Sequence, residues 1–219
     1  MGFARASGKV GVVNLHVTPG VAHGLGNLYN AYRARIPLLV TAGQHHPGLN
    51  VHEPILTSDM AGLVRPFSKW SYEVTMIDEL PVAMQRAFKE LTTPPYAPVF
   101  LSIASNLFLE KLDNPPTARV SRIGKTGTDP ADIQRAAAAL ASATNPVIIA
   151  GDGVGTAGAW DELVSLAEAL GAIVHTEGYA TSWNFPPGHP LYGGPMANIA
   201  RNMRSRFDEV DLVLMCGVV

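Results

Sequence analysis

Two short apolar runs, residues 10–15 (VGVVNL) and 36–42 (IPLLVTA), flank a segment of helical length. Apolar runs without strict alternation are expected of strands buried on both faces of a parallel sheet. Parallel neighbours cannot be joined by a tight turn and need a crossover of a dozen residues or more. The intervening segment supplies one. Thr18-Pro19-Gly20 reads as a helix start with proline in its first turn, Ala22, Leu25, Leu28, Tyr29 and Tyr32 recur at helical spacing, and Arg33 and Arg35 suit the helix end. The unit is β-α-β, and it directs the chain to an α/β architecture.

The rest of the chain continues the pattern. After Gly43 and Gln44 a polar stretch containing proline and glycine runs to Ser58, a length that suits a functional or interface loop. Asp78 is placed to cap a helix with the stripe Leu80, Val82, Ala83, Met84, Ala87, Phe88 and Leu91, and residues 98–103 read as another strand. Periodicity fails over residues 106–128, which contain Asn114-Pro115-Pro116 and read as a linker. Asp129-Pro130 opens an alanine-rich helix to about residue 143. Strands follow at 146–150, 172–176 and 210–215, with helices at 158–170 and around 197–206. The expectation is two doubly wound parallel-sheet units, residues 1–105 and 129–219, both truncated at the chain ends.

Composition narrows the function classes. Sixteen Lys+Arg against eighteen Asp+Glu, a net charge of −2, provide no electrostatic footprint for nucleic acid or an anionic membrane. No apolar stretch reaches the length of a membrane span, and residues 1–5 lack the character of a signal peptide. Cys216 is the single cysteine, so no disulfide or thiolate metal cluster can form within one chain, and a cytoplasmic location is expected.

The segment from Asn14 to His23 places a histidine and a Pro-Gly turn at the C-terminal end of a buried parallel strand, where open α/β sheets bind ligands. Histidine is the side chain best suited to proton transfer near neutral pH, so His16 is a candidate proton donor or acceptor; the alternative is an imidazole that only hydrogen-bonds its own loop. His45, His46 and His52 lack both helical HExxH spacing and a carboxylate partner, so they read as loop residues rather than a metal site. Gly151 to Gly155 (GDGVG) read as a tight strand-to-helix turn, whose N–H groups could approach an anion although dinucleotide spacing is not met.

Taken in order, residues 2–8 (GFARASG), 12–16 (VVNLH), 26–32 (GNLYNAY) and 37–44 (PLLVTAGQ) closely resemble the pyrimidine-binding domain of thiamine-diphosphate-dependent 2-oxo-acid enzymes. The benzoylformate decarboxylase branch is nearest in kind and the acetolactate synthases come next. The likeness continues through residues 67–73 (FSKWSYE) and 98–102 (PVFLS), and residues 129–219, including 185–190 (FPPGHP), are similar to the family's central domain.

The resemblance implies thiamine diphosphate and Mg2+ as cofactors, a 2-oxo acid as substrate, and a homodimer or homotetramer for the full-length protein. The reaction it implies is decarboxylation, or carboligation of the acetolactate synthase kind with FAD on the central domain. His16 matches the family's active-site histidine after the Asn-Leu motif. Gly20 and Gln44 match cofactor-lining positions, as does His23, where relatives often carry asparagine. No residue of this chain matches a metal ligand: the family's Mg2+ motif belongs to a third domain, and its activating glutamate lies upstream of residue 1. The resemblance therefore implies that this chain alone does not catalyse the reaction. A nucleotide-binding α/β module without thiamine chemistry is the alternative from a different class.

Overall fold

The second apolar run becomes strand β2, Leu38–Gln44, and its successive side chains point to opposite sides. Leu38, Val40 and Ala42 pack on one face with Val21, Leu28 and Ala31 of helix α2 (Val17–Arg33) and with Met60 and Val64 of α3 (Met60–Val64). Leu39 packs on the other face with Ala83, Ala87 and Leu91 of α4 (Glu79–Thr92). The computed structural model describes residues 1–113, 127–196, 203–204 and 206–218. The chain divides into two units, Met1–Lys125 and Thr126–Val219.

In the first unit, β2 lies in a parallel sheet with β1 (Gly11–Leu15), β3 (Trp70–Val74) and β4 (Val99–Ala104), in the order β1-β2-β4-β3. The expectation that the first apolar run is buried on both faces is corrected here. β1 is an edge strand, and Val12 is 67% exposed. The helical stripe also differs. Val21, Leu28 and Ala31 are buried while Ala22, Tyr29 and Tyr32 are exposed, so only part of the expected stripe faces the sheet. In α4, Val82 and Phe88 face outward. Asp78 makes no side-chain cap bond; instead the Glu79 carboxylate accepts from the Thr75 N–H (3.4 Å) and the Tyr72 hydroxyl (3.2 Å).

Several elements were not signalled by periodicity: α1 (Gly2–Ser7), α3, and β3, whose five residues are mostly half-exposed. Lys69, just before β3, donates from Nζ to the carbonyls of Glu90 (2.9 Å) and Thr93 (2.7 Å). It thereby satisfies acceptors at the end of α4 that the helix leaves unpaired.

The second unit holds α5 (Pro130–Ser142), β5 (Pro146–Ala150), α6 (Asp152–Ala157), α7 (Trp160–Leu170), β6 (Ile173–Thr176), β7 (Tyr192–Pro195) and β8 (Leu212–Cys216). Its sheet is parallel, in the order β7-β6-β5-β8. Ile148, Ala150 and Val174 pack against Val154, Leu163, Ala167 and Phe185. On the opposite face Val147 and His175 are buried, but Ile173, Val213 and Met215 are exposed. β8 is an edge strand, and α5 buries no residue. Gly151 to Gly155 largely form the short helix α6 rather than a bare turn. Most of the linker expected at 106–128, and most of the helix expected near 197–206, lie outside the described residues. Among the described residues no helix is long and apolar enough to cross a membrane.

Candidate active-site edge

The C-terminal edge of the first sheet gathers most of the residues singled out above. Leu15 is the last β1 residue paired with β2, opposite Ala42, so His16 leaves the sheet beside the end of β2, where Gln44 closes that strand. His16 is the N-cap residue of α2 in extended conformation (φ −88°, ψ 104°), and its carbonyl accepts the Gly20 N–H at 2.8 Å. Its imidazole is exposed and makes no cap hydrogen bond. Of the two readings open from sequence, a ring occupied by its own loop is therefore not the one observed: among the described residues the ring has no hydrogen-bond partner.

Gly20 lies in the first turn of α2. A Cβ built there would meet the His16 Cβ and the Leu15 carbonyl carbon at 3.4 Å, the edge of ordinary van der Waals contact. These contacts do not force glycine at that position. His23, two turns along the helix, is exposed. Gln44 behaves differently. It is buried, its Nε2 donates to the Ser58 carbonyl (3.0 Å), and its Oε1 accepts the His45 N–H (3.0 Å). The amide thus ties the loop after β2 to the end of that strand.

The same loop borders a cleft of about 590 Å³ lined by Gln44, Asn50, Glu53, Thr57, Ser58, Asp59 and Glu73. Its histidines serve the backbone. A ring nitrogen of His45 meets the Ile55 carbonyl at 3.0 Å, and His46 Nδ1 accepts the Gly48 N–H at 2.9 Å. Among the described residues no three His, Cys, Asp or Glu side chains gather where they could hold a metal ion.

In the second unit the glycine-rich turn after β5 has its donors occupied. Gly151 N–H donates to Cys216 O (2.8 Å), Gly153 N–H to Gly217 O (3.0 Å) and Val154 N–H to Gly151 O (3.1 Å). A Cβ at Gly153 would sit 2.6 Å from the Gly217 Cα, so these glycines serve a close approach of backbone to backbone. The Asp152 carboxylate accepts from the backbone N–H and hydroxyl of both Thr181 and Ser182 and from Asn184 Nδ2. Partial burial would raise its pKa, but these donors prevail and hold it far below the usual carboxylate range. Asp152 and Asn184 meet across the fold of the second unit. They meet as hydrogen-bond partners (2.9 Å).

Comparison with known proteins agrees with this layout. The thiamine pyrophosphate enzyme N-terminal TPP binding domain matches residues 1–57, and the thiamine pyrophosphate enzyme central domain matches residues 133–219. Benzoylformate decarboxylase of Pseudomonas aeruginosa is 32% identical over 99% of this chain and 42% of its own length. The acetolactate synthase isozyme 3 large subunit of Escherichia coli is 30% identical over 77% of the chain and 30% of its own. The crystal structure of benzoylformate decarboxylase from Polynucleobacter necessarius superposes with a TM-score of 0.89 at 30% identity, over 98% of this chain and 40% of that one. The Rhodococcus jostii RHA1 thiamine diphosphate-dependent 4-hydroxybenzoylformate decarboxylase gives 0.90 at 28% identity, over 98% and 41%. The chain spans less than half the length of these relatives. Two parallel sheets, a histidine free at the end of the first, and matches to both domain models lead to one conclusion: the chain belongs to the thiamine pyrophosphate enzyme family.

Proposed function

We propose that this chain contributes one wall of a thiamine diphosphate site in an enzyme that decarboxylates a 2-oxo acid, with residues 1–105 as the pyrimidine-binding domain, 106–128 as the linker and 129–219 as the central domain. The observation that carries the reading is the exposed, unpartnered His16 imidazole at the C-terminal edge of a parallel sheet. The residues present fit the cofactor in part. Gly20 follows His16 in the first turn of α2, His23 lies further along the same helix, and Gln44 holds the adjoining loop in place. When bound, thiamine diphosphate supplies the electron sink that loss of CO2 requires. The role given to His16 is to exchange a proton with the carbonyl oxygen of the substrate.

The described residues do not fit Mg2+, and no step is derived through it. A homodimer or homotetramer is the assembly proposed for the full-length enzyme. The lone Cys216 suits the reducing cytoplasm. The second reading, an acetolactate synthase-like carboligase carrying FAD, rests on the E. coli relative. The occupied N–H groups of Gly151, Gly153 and Val154 count against an anion held at that turn, as a nucleotide-binding module would need.

The test is His16→Ala in the full-length enzyme. Turnover is expected to fall by about 10²-fold or more, while thiamine diphosphate affinity measured by calorimetry stays within about threefold. Equal loss of both would make His16 structural and sink the assignment. The 219-residue chain alone is expected to bind no thiamine diphosphate at micromolar concentration, with or without Mg2+.

A further inference from the structure

Val17, between the free histidine and the body of α2, has φ +38°. This is the left-handed region, which a β-branched residue rarely enters, and such strain persists only where the surroundings over-determine it. Both sides of Val17 are pinned. Upstream, Leu15 is held in the β1–β2 pairing. Downstream, the Thr18 hydroxyl lies 2.7 Å from the Ser58 hydroxyl, a contact between residues forty apart in the chain.

Ser58 is itself anchored. Its carbonyl accepts from Gln44 Nε2 (3.0 Å) and from the Met60 N–H (2.9 Å), and the Met60 side chain is fully buried in the first core. A continuous path therefore runs from the core through Met60, Ser58 and Thr18 to the strained residue that orients His16.

We infer that Thr18 and Ser58 are positioning residues: their hydroxyl pair, seated on Gln44, holds Val17 in its left-handed conformation and so fixes the direction in which His16 leaves the sheet. The inference deepens the proposed function and rests on it only for its catalytic consequence. The mechanical claim stands on the contacts themselves. Without the clasp, Val17 relaxes toward negative φ, the His16 carbonyl turns, and its bond from the Gly20 N–H loosens.

The 219-residue chain provides a readout independent of activity. Hydrogen exchange at the Gly20 amide and the NMR signals of the His16 ring are compared in wild type, Thr18→Val, Ser58→Ala and Thr18→Ser. Loss of either hydroxyl is expected to speed Gly20 exchange by about tenfold and to average the His16 signals, while Thr18→Ser, which retains the hydroxyl, keeps both near wild type. Repeating Thr18→Val in a Val17→Gly background separates strain from general loosening. Glycine tolerates positive φ, so the Thr18→Val effect on Gly20 exchange is expected to shrink to about threefold or less.

In the full-length enzyme, Thr18→Val and Ser58→Ala are expected to lower kcat about tenfold with KM within about twofold. Unchanged Gly20 exchange and His16 signals in both hydroxyl-deletion variants overturn the inference, whatever the enzyme does. The expected exchange and ring changes in a full-length protein without thiamine-dependent activity would uphold the clasp and overturn the proposed function instead.

Discussion

The turn after β1 and the turn after β5 are built alike: a parallel strand ends, a glycine-bearing segment follows, and a helix begins. They differ in what their polar groups and space are used for. After β5, the carboxylate of Asp152 is filled by donors from Thr181, Ser182 and Asn184, and the glycines are packed against Gly217. After β1, the His16 ring is exposed with no hydrogen-bond partner among the described residues, and a methyl group at Gly20 would make only ordinary contacts. Of the two turns, only the one after β1 therefore keeps a polar side chain available to a ligand. The sheets differ too. The central strands β2 and β4 of the first sheet are packed on both faces, with exposure confined to edge-strand residues such as Val12, whereas the second sheet leaves Ile173, Val213 and Met215 exposed among the described residues.

The sharpest way to break this contrast is Gly153→Ala. The new methyl would lie 2.6 Å from the Gly217 Cα, and a loss of about 2–4 kcal/mol from the second unit is expected in urea unfolding, with exchange in β2 unaffected. A well-tolerated Gly153→Ala would show that the turn is not packed as described.

A somewhat smaller effect is expected from Asp152→Ala, about 2–3 kcal/mol, because five donors lose a charged acceptor. The pH dependence has a definite sign. The folded-state pKa of Asp152 is depressed, so the unfolded chain takes up the proton first on acidification. The Asp152 contribution is complete above its unfolded pKa of about 4 and is lost progressively below it. Asp152→Asn should flatten the acid limb of the stability curve of the second unit, and an unchanged limb would remove Asp152 as its cause.

The smallest effect, with the opposite sign, belongs to Gly20→Ala. With ordinary contacts for the added methyl, replacing a helical glycine should leave the first unit unchanged or more stable by up to about 1 kcal/mol. The same change should weaken thiamine diphosphate binding in the full-length enzyme. A destabilised first unit would mean that Gly20 is required by the fold rather than by a ligand.

Much of this was legible in the residues. The β-α-β spacing gave the parallel α/β class, Asp129-Pro130 marked the start of α5, with the Asp129 side chain accepting the Ala131 N–H, and the position of His16 followed from the end of the first apolar run. The role of Gln44 was less so: its amide is engaged with Ser58 and His45, which no local pattern signals. β3 escaped notice because a short half-exposed strand has neither an apolar run nor clean alternation, and Lys69 appears in sequence as one more surface charge.

By itself the order of residues determined the alternation of strand and helix, the family, and the placement of a histidine at a strand terminus. Those properties depend on neighbours within a few residues, where the periods of helix and strand and the chemistry of turns operate. Only the tertiary structure decided that β1 and β8 are edges, that the turn after β5 is packed against Gly217 while the His16 ring stays exposed, and that Thr18 meets Ser58 across forty residues. Burial and hydrogen-bond satisfaction belong to pairs of groups brought together from distant parts of the chain, and no single segment carries them.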